Sequence, residues 1–224
     1  MGLKANFSER TASTFKPVPP GLHLARLYRI IDKGTHKTVW QGIEKDQQKI
    51  MLQFEVHGED HEGRPTITDK GEPMTISKNL TNSMFSNSNM RKLMESWLGN
   101  KKMTDEEAKH FNIKDMLGEW GMILVKHTTK DDGAVFSNID DIVPVSPIQR
   151  RHMPTPHNEL KVFDFDDPDM EFFETLGPKL KEAMMQTKEW RQLTQRNAAP
   201  RVPVKPVQKK ESSGFEDMED DIPF

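Results

Sequence analysis

Between Lys49 and His57 the chain reads Lys-Ile-Met-Leu-Gln-Phe-Glu-Val-His, which sets Ile50, Leu52, Phe54 and Val56 on one face and Lys49, Gln53 and Glu55 on the other. Period-two spacing of this kind predicts a half-buried strand. Before it, Leu22 to Ile31 is rich in aliphatic and aromatic residues, with Arg26 and Arg29 set into it. Asp32-Lys-Gly34 then reads as a turn, and Thr35 to Trp40 as a short second run closed by Gln41-Gly42. After a charged, turn-rich loop from Gly58 to Gly71, Pro73 to Thr81 predicts another strand. Met74, Ile76 and Leu80 share one of its sides; Thr75, Ser77, Asn79 and Thr81 make a row of small hydrogen-bonding groups on the other.

At Asn87 the period changes. Met90, Leu93, Met94, Trp97 and Leu98 recur every three or four residues, with Asn87 or Ser88 placed to cap and Gly99 to stop, which predicts an amphipathic helix. Thr104-Asp-Glu-Glu107 matches a capping box for a short helix toward His110, and Ile113 to Leu117 adds one turn. Strands return at Trp120 to Thr128, whose two-sided apolar run predicts a central strand, with Trp97 and Trp120 both assigned to the core. Asp131-Asp-Gly133 predicts a hairpin turn into Ala134 to Ile139, and Ile142 to Val145 ends the domain. Five or six short strands, with helices inserted before the last two, predict a mainly-β fold: a small closed OB-like barrel rather than a doubly wound sheet.

Beyond Pro147 the texture is different. Ser146 to Pro156 reads as a linker with a small basic cluster, and Val162 to Asp167 is acidic and aromatic. A helix starts near Asp169, breaks at Pro178 and restarts with Leu180, Met184, Thr187, Trp190 and Leu193 along one stripe. Asn197 to Gly214 carries Pro200, Pro203 and Pro206 among small and basic residues, the composition of a disordered tether. The expected organisation is an extended arm over 1–20, the barrel over 21–146, a linker and helical extension over 147–196, and a tether with an acidic tail over 197–224.

Composition narrows the function. With 34% hydrophobic and 30% charged residues, the chain is too polar to be one packed globule throughout. No run approaches the ~20 apolar residues of a membrane span, and the first ten residues lack a signal-peptide core, so a cytoplasmic protein with no membrane partner is expected. The absence of cysteine excludes disulfides, thiolate catalysis and cysteine-ligated metals. Net charge is -3, but residues 1–150 carry 21 Lys and Arg against 20 Asp and Glu, whereas residues 151–224 carry 11 against 15. The acidity therefore lies in the C-terminal third, and a nearly neutral body can still bind a polyanion if its bases cluster on one face.

Enzyme signatures are missing: no Gly-rich phosphate loop, no Gly-x-Ser-x-Gly elbow, no His-Glu-x-x-His helix. His57 and His61 straddle Gly58 in a polar loop and read as surface histidines. Asp164, Asp166, Asp167, Asp169 and Glu171 read as an acidic linker, since Pro168 interrupts them and the spacing fits no calcium loop. A non-enzyme without cofactor or metal is expected.

The last ten residues, Phe215 to Phe224, hold five carboxylates and no base, and close on a bare apolar tip. Generic acidic C-termini are more often solvated tails. The run Asp220-Asp221-Ile222-Pro223-Phe224, however, resembles the tip by which bacterial single-stranded-DNA-binding proteins recruit replication and repair enzymes. In the body, Gly21-Leu-His-Leu-Ala-Arg26, Asp32-Lys-Gly-Thr35, Glu95-Ser-Trp-Leu-Gly99, Met116-Leu-Gly118 and Val125-Lys-His127 occur in the order found in single-stranded-DNA-binding proteins of tailed bacteriophages. This resemblance spans roughly residues 20 to 145. It implies an OB fold that coats single strands in phage replication, recombination or repair inside a bacterial host. Asp217, Glu219, Asp220, Asp221, Ile222, Pro223 and Phe224 would bind the partner protein. A homo-oligomer is compatible with the resemblance, but the housekeeping tetramer does not carry over.

Such a site needs bases that track phosphates and aromatic faces for stacking. The candidates in or beside expected strands are Arg26, Arg29, Lys33, Lys37, Lys49, Lys78, Lys126 and His127, extended by Arg91 and Lys92 on the helix; Trp40, Phe85 and Phe136 are the stacking candidates. The competing readings are a replisome adaptor without DNA contact, a strand-annealing recombination protein and, third, a metal nuclease.

Overall fold

The computed structural model describes residues 16–40, 42–131 and 133–198, the side chains of Trp40, Asn197 and Ala198 excepted. The fold is mainly β. Strands β1 (Gly21–Trp40), β2 (Ile43–His57), β3 (Met74–Thr81), β4 (Trp120–Thr129) and β5 (Val135–Pro144) run antiparallel in the order β3-β2-β1-β4-β5. A sixth, β6 (Lys161–Phe163), pairs in parallel with residues 29–31 of β1. Helices α1 (Asn89–Trp97) and α2 (Asp105–His110) lie between β3 and β4; α3 (Met170–Glu174), α4 (Pro178–Met185) and α5 (Lys188–Ala198) follow β6. Among the described residues no helix is long and apolar enough to cross a membrane. The hydrogen-bonded ladder does not close: β3 and β5 are its two edges, bridged by Lys78 Nζ donating to the Ile139 carbonyl.

The expected turn at Asp32-Lys-Gly34 is instead a bulge inside one 20-residue strand. Gly34 takes φ 77°, its N–H donates to Asp32 Oδ1 at 2.8 Å, and pairing with β2 resumes and runs to Trp40 opposite Ile43. Reversal happens at Gly42, also at φ 77°. The outer half of the hairpin, residues 35–48, therefore extends past β3, which begins to pair only at Lys49.

Alternation places the main core as the sequence predicts. Leu52, Phe54 and Val56 of β2, Met74, Ile76 and Leu80 of β3, and Ile123 and Val125 of β4 are buried with Met90, Leu93, Met94 and Trp97 of α1. Ser88 is the N-cap, and both halves of the Thr104–Glu107 capping box form. Leu98 falls past the helix end and is 46% exposed. Trp120 is not in this core. It stands on the opposite sheet face with its ring 5.1 Å from that of His57, and its carbonyl accepts the Trp97 indole N–H at 3.0 Å.

That opposite face carries a second core. Ile31 and Met51, paired across β1 and β2, are buried with Phe163, Phe165, Phe172, Phe173, Leu176, Met184 and Leu193. The expected single helix after Pro178 is two, because Thr187 interrupts it: its hydroxyl donates to the Met184 carbonyl at 2.6 Å and accepts the Trp190 N–H at 3.3 Å.

The segment joining the two cores is held by Glu55, which alternation alone would leave on a polar face. Its side chain is fully buried. Oε2 accepts the backbone N–H and side-chain amide of Asn158, both at 2.7 Å, and Oε1 accepts the His157 N–H at 3.2 Å and Arg26 Nη1 at 3.4 Å. Burial alone would raise this carboxyl, but the Asn158, His57 and His157 donors outweigh it and hold it below the ordinary range. Glu55→Ala leaves a buried guanidinium without its counter-charge, and it should destabilise the fold by about 3–5 kcal/mol in urea unfolding. Because the folded-state carboxyl lies below its unfolded value, its stabilisation is complete above about pH 4.3 and is lost as pH falls through the folded value. The gap between wild type and Glu55→Ala should therefore narrow in acid, and a constant gap from pH 6 to pH 3 would contradict this assignment.

Candidate functional site

The β1 bulge, the end of β3, the start of α1 and the side of α4 meet around an open groove of about 1060 Å³. Lys33 comes from the bulge and Lys49 from β2 directly across it. The row of small polar side chains on β3 contributes Asn79 and Thr81, while Ser88 and Asn89 begin α1 and Ala183 belongs to α4. Among the described residues that line the groove there is no Asp or Glu.

The groove's amide oxygens face its lysines. Lys33 Nζ donates to Asn79 Oδ1 at 3.0 Å, and Lys49 Nζ donates to Gln47 Oε1 at 2.6 Å and Thr81 Oγ1 at 2.7 Å. Lys33 is half-buried, and burial together with the nearby Lys49 charge lowers its pKa. Two ammonium groups thus share a polar recess with no balancing carboxylate in its lining, an arrangement suited to an anion. The short helix start adds partial positive charge at one side, since α1 has no acidic residue in its first turn.

The other sequence-derived candidates divide by location. Arg26 is buried against Glu55 and the Asn158 carbonyl, and Arg91 is buried against Glu95 and Asp105, so both guanidinium groups are committed inside the fold. Arg29 is held between aromatic rings, 5.0 Å from that of Tyr28 and 5.2 Å from that of Phe172. Lys78 bridges the β3–β5 seam. Lys37 is exposed on the outer hairpin, 3.4 Å from Glu44, and Lys92 is exposed on α1. Lys126, His127 and Phe136 lie on the β4–β5 hairpin and do not line the groove. Lys126 pairs with Asp140 at 2.7 Å, the His127 ring contacts the Val18 carbonyl at 2.8 Å, and Phe136 lies beneath Lys130. Phe85 is 83% exposed on the loop that follows β3. The Trp40 ring and the acidic tip at Asp217, Glu219, Asp220, Asp221, Ile222, Pro223 and Phe224 lie outside the described residues.

Of these candidates, then, the fold brings Lys33 and Lys49 into one groove with Phe85 on the adjoining loop. Sequence reading missed His36, Gln47 and Ala183 in the lining. Asn79 and Thr81 had a signal, the run of small polar residues on one side of β3, whereas Ala183 has none, because only the packing of α4 brings it there.

Asp164 pairs with Lys114, and its Oδ1 accepts the Asp166 N–H at 2.8 Å. Among the described residues no three His, Cys, Asp or Glu side chains are grouped to hold a metal ion. No known family model matches the sequence, and a comparison with curated proteins finds no match.

The depressed Lys33 pKa has a consequence for stability. Its folded value lies below its unfolded one, so protonated Lys33 opposes folding at neutral pH, and the penalty vanishes above the unfolded pKa of about 10.4. Lys33→Met should raise the melting temperature by about 2 °C at pH 7, with the difference shrinking toward pH 11. A lower melting temperature for the variant in thermal unfolding at pH 7 would show that the Asn79 bond outweighs the buried charge.

Proposed function

We propose that the protein is a non-catalytic single-stranded-DNA-binding protein, and that the lysine groove carries the strand's phosphates. The observation that carries this reading is the groove's lining: Lys33 and Lys49 half-enclosed among amides and hydroxyls, with no carboxylate among the described lining residues. A chain with a net charge of -3 keeps a carboxylate-free basic recess against its own overall sign, which favours a polyanionic ligand. The strand order β3-β2-β1-β4-β5, with α1 and α2 between β3 and β4, supports an OB-like barrel whose β3–β5 seam stays open. The ordered motif resemblance to phage single-strand binders points the same way, to work in replication, recombination or repair in the cytoplasm of an infected bacterium.

In this reading the acidic tip has two roles. Ile222, Pro223 and Phe224, behind Asp217, Glu219, Asp220 and Asp221, recruit a replication or recombination protein. The same five-carboxylate segment is a short tethered polyanion that competes weakly with DNA for the groove, so that bound DNA frees the tip.

Anisotropy of a labelled oligo-dT across a salt series tests the groove and the tail together. Wild-type affinity should fall steeply with salt, and Lys33→Ala and Lys49→Ala should each weaken binding and reduce the log-log salt slope by about 0.7. Truncation after Gly214 should tighten binding, most visibly at low salt. If neither the full chain nor the truncated one binds oligo-dT at 50 mM salt, the DNA reading falls and the adaptor reading replaces it.

A further inference from the structure

Residues 82–86, which connect β3 to α1, form a lip between two cavities. On one side lies the lysine groove, and on the other a smaller recess of about 450 Å³ lined by Met84, Phe85, Ala108, Arg91, Asp105 and Lys109, among others; Ser83 lines both. The two differ in chemistry. In the recess the charged groups already have partners. Arg91 Nε and Nη1 reach Glu95 at 3.1 Å and Asp105 at 2.8 Å, and its guanidinium also donates to the Met84 and Met103 carbonyls; Lys109 lies 3.4 Å from Glu106. Besides these paired charges the lining offers the thioether of Met84, the methyl of Ala108 and the Phe85 ring, with the uncharged polar side chains of Asn82, Ser83 and Ser86 along the same loop, a surface suited to a flat, uncharged group with polar edges and not to a phosphate.

Phe85 is the most exposed large hydrophobic among the described residues, at 83%. Isolated exposed apolar residues are ordinary. This one, however, stands on a backbone tied down on both sides. The Ser88 N–H donates to the Phe85 carbonyl at 2.8 Å, the Ser88 hydroxyl to the Ser83 carbonyl at 2.6 Å, Arg91 Nη1 to the Met84 carbonyl at 3.3 Å, and the Asn82 N–H to the Gln48 carbonyl at 2.8 Å. A ring held out in water on a braced loop, between a recess whose charges are paired and a basic groove, is arranged for stacking.

We propose that this recess is a base pocket: it takes one unstacked nucleobase, face to face with Phe85, from the strand whose phosphates lie in the lysine groove. The proposal rests on the single-stranded-DNA reading and adds a division of labour to it, with charge on the groove side of residues 82–86 and base on the other. Arg91 is then a positioning residue. It borders the recess with its guanidinium already committed, and through Met84, Asp105 and Met103 it fixes the lip against the segment that opens α2.

The test uses the full chain with two ligands of equal length, oligo-dT and a phosphodiester oligomer of abasic sites, and three proteins: wild type, Phe85→Ala and Phe85→Tyr. Because Phe85 is exposed, neither substitution disturbs the core. Phe85→Ala should weaken oligo-dT binding by about 5- to 100-fold, the range of a single base-aromatic stack, and leave binding of the abasic oligomer unchanged. Phe85→Tyr should retain oligo-dT affinity. No loss on oligo-dT would overturn the base pocket, leave the groove intact and assign the exposed ring to a protein partner instead; equal loss on both ligands would overturn it too, placing the ring against the sugar-phosphate backbone. Failure of wild type to bind either oligomer would instead remove the DNA reading and the pocket with it.

Discussion

A carboxylate withdrawn completely from water must either be neutralised or collect donors, and Glu55 collects them from a part of the chain a hundred residues away. Arg26 approaches from the neighbouring strand, while His157 and Asn158 arrive from the segment that leaves β5. This fixes the route of the chain. Once Asn158 is bound to the outer face of β2, the following residues run alongside β1 as β6, and the phenylalanines at 163, 165, 172 and 173 come down on Ile31 and Met51. The sheet thereby acquires a core on each face, and the helical extension becomes part of the body.

That second core also closes one side of the groove. The backbone at Gly34 passes so close to the break between α4 and α5 that a Cβ there would stand 2.8 Å from the Thr187 hydroxyl, and Glu189 in α5 accepts the Thr35 hydroxyl and N–H at 2.6 and 2.9 Å. These contacts hold the root of the β1–β2 hairpin where the bulge turns Lys33 toward Asn79. Ala183, one turn earlier in α4, supplies part of the wall.

Arginine and lysine serve opposite ends here. Arg26 and Arg91 use fixed planar forks to satisfy several oxygens at once from buried positions, which suits a guanidinium that stays charged and binds in two directions. Lys33 and Lys49 keep compact ammonium groups at a half-open surface, and in the proposed reading a phosphate completes their coordination. Burial has lowered the Lys33 pKa, so the recess holds charge at some expense to the free protein's stability.

Much of the architecture is legible in residue spacing alone, because local periods and caps depend only on near neighbours. Alternation marks β2 and β3, three-four spacing with Ser88 marks α1, Thr104 and Glu107 mark α2, and Pro178 marks a helix start. What escaped depended on distant partners. Asp32-Lys-Gly34 has the composition of a turn, but hydrogen bonding to β2 on both sides turns it into a bulge. Glu55 and Arg26 look like solvated strand charges until the strap at 157–158 covers them, and Arg91 looks like a groove cation until α2 folds beneath it. By itself, then, the sequence determined β2, β3, the capped helices and the main core; which lysines share a groove was decided only in three dimensions, since placing Lys33, Lys49, Asn79 and Ala183 together requires the register of β1 on β2 and the docking of the helical extension, both set by contacts between residues far apart in the chain.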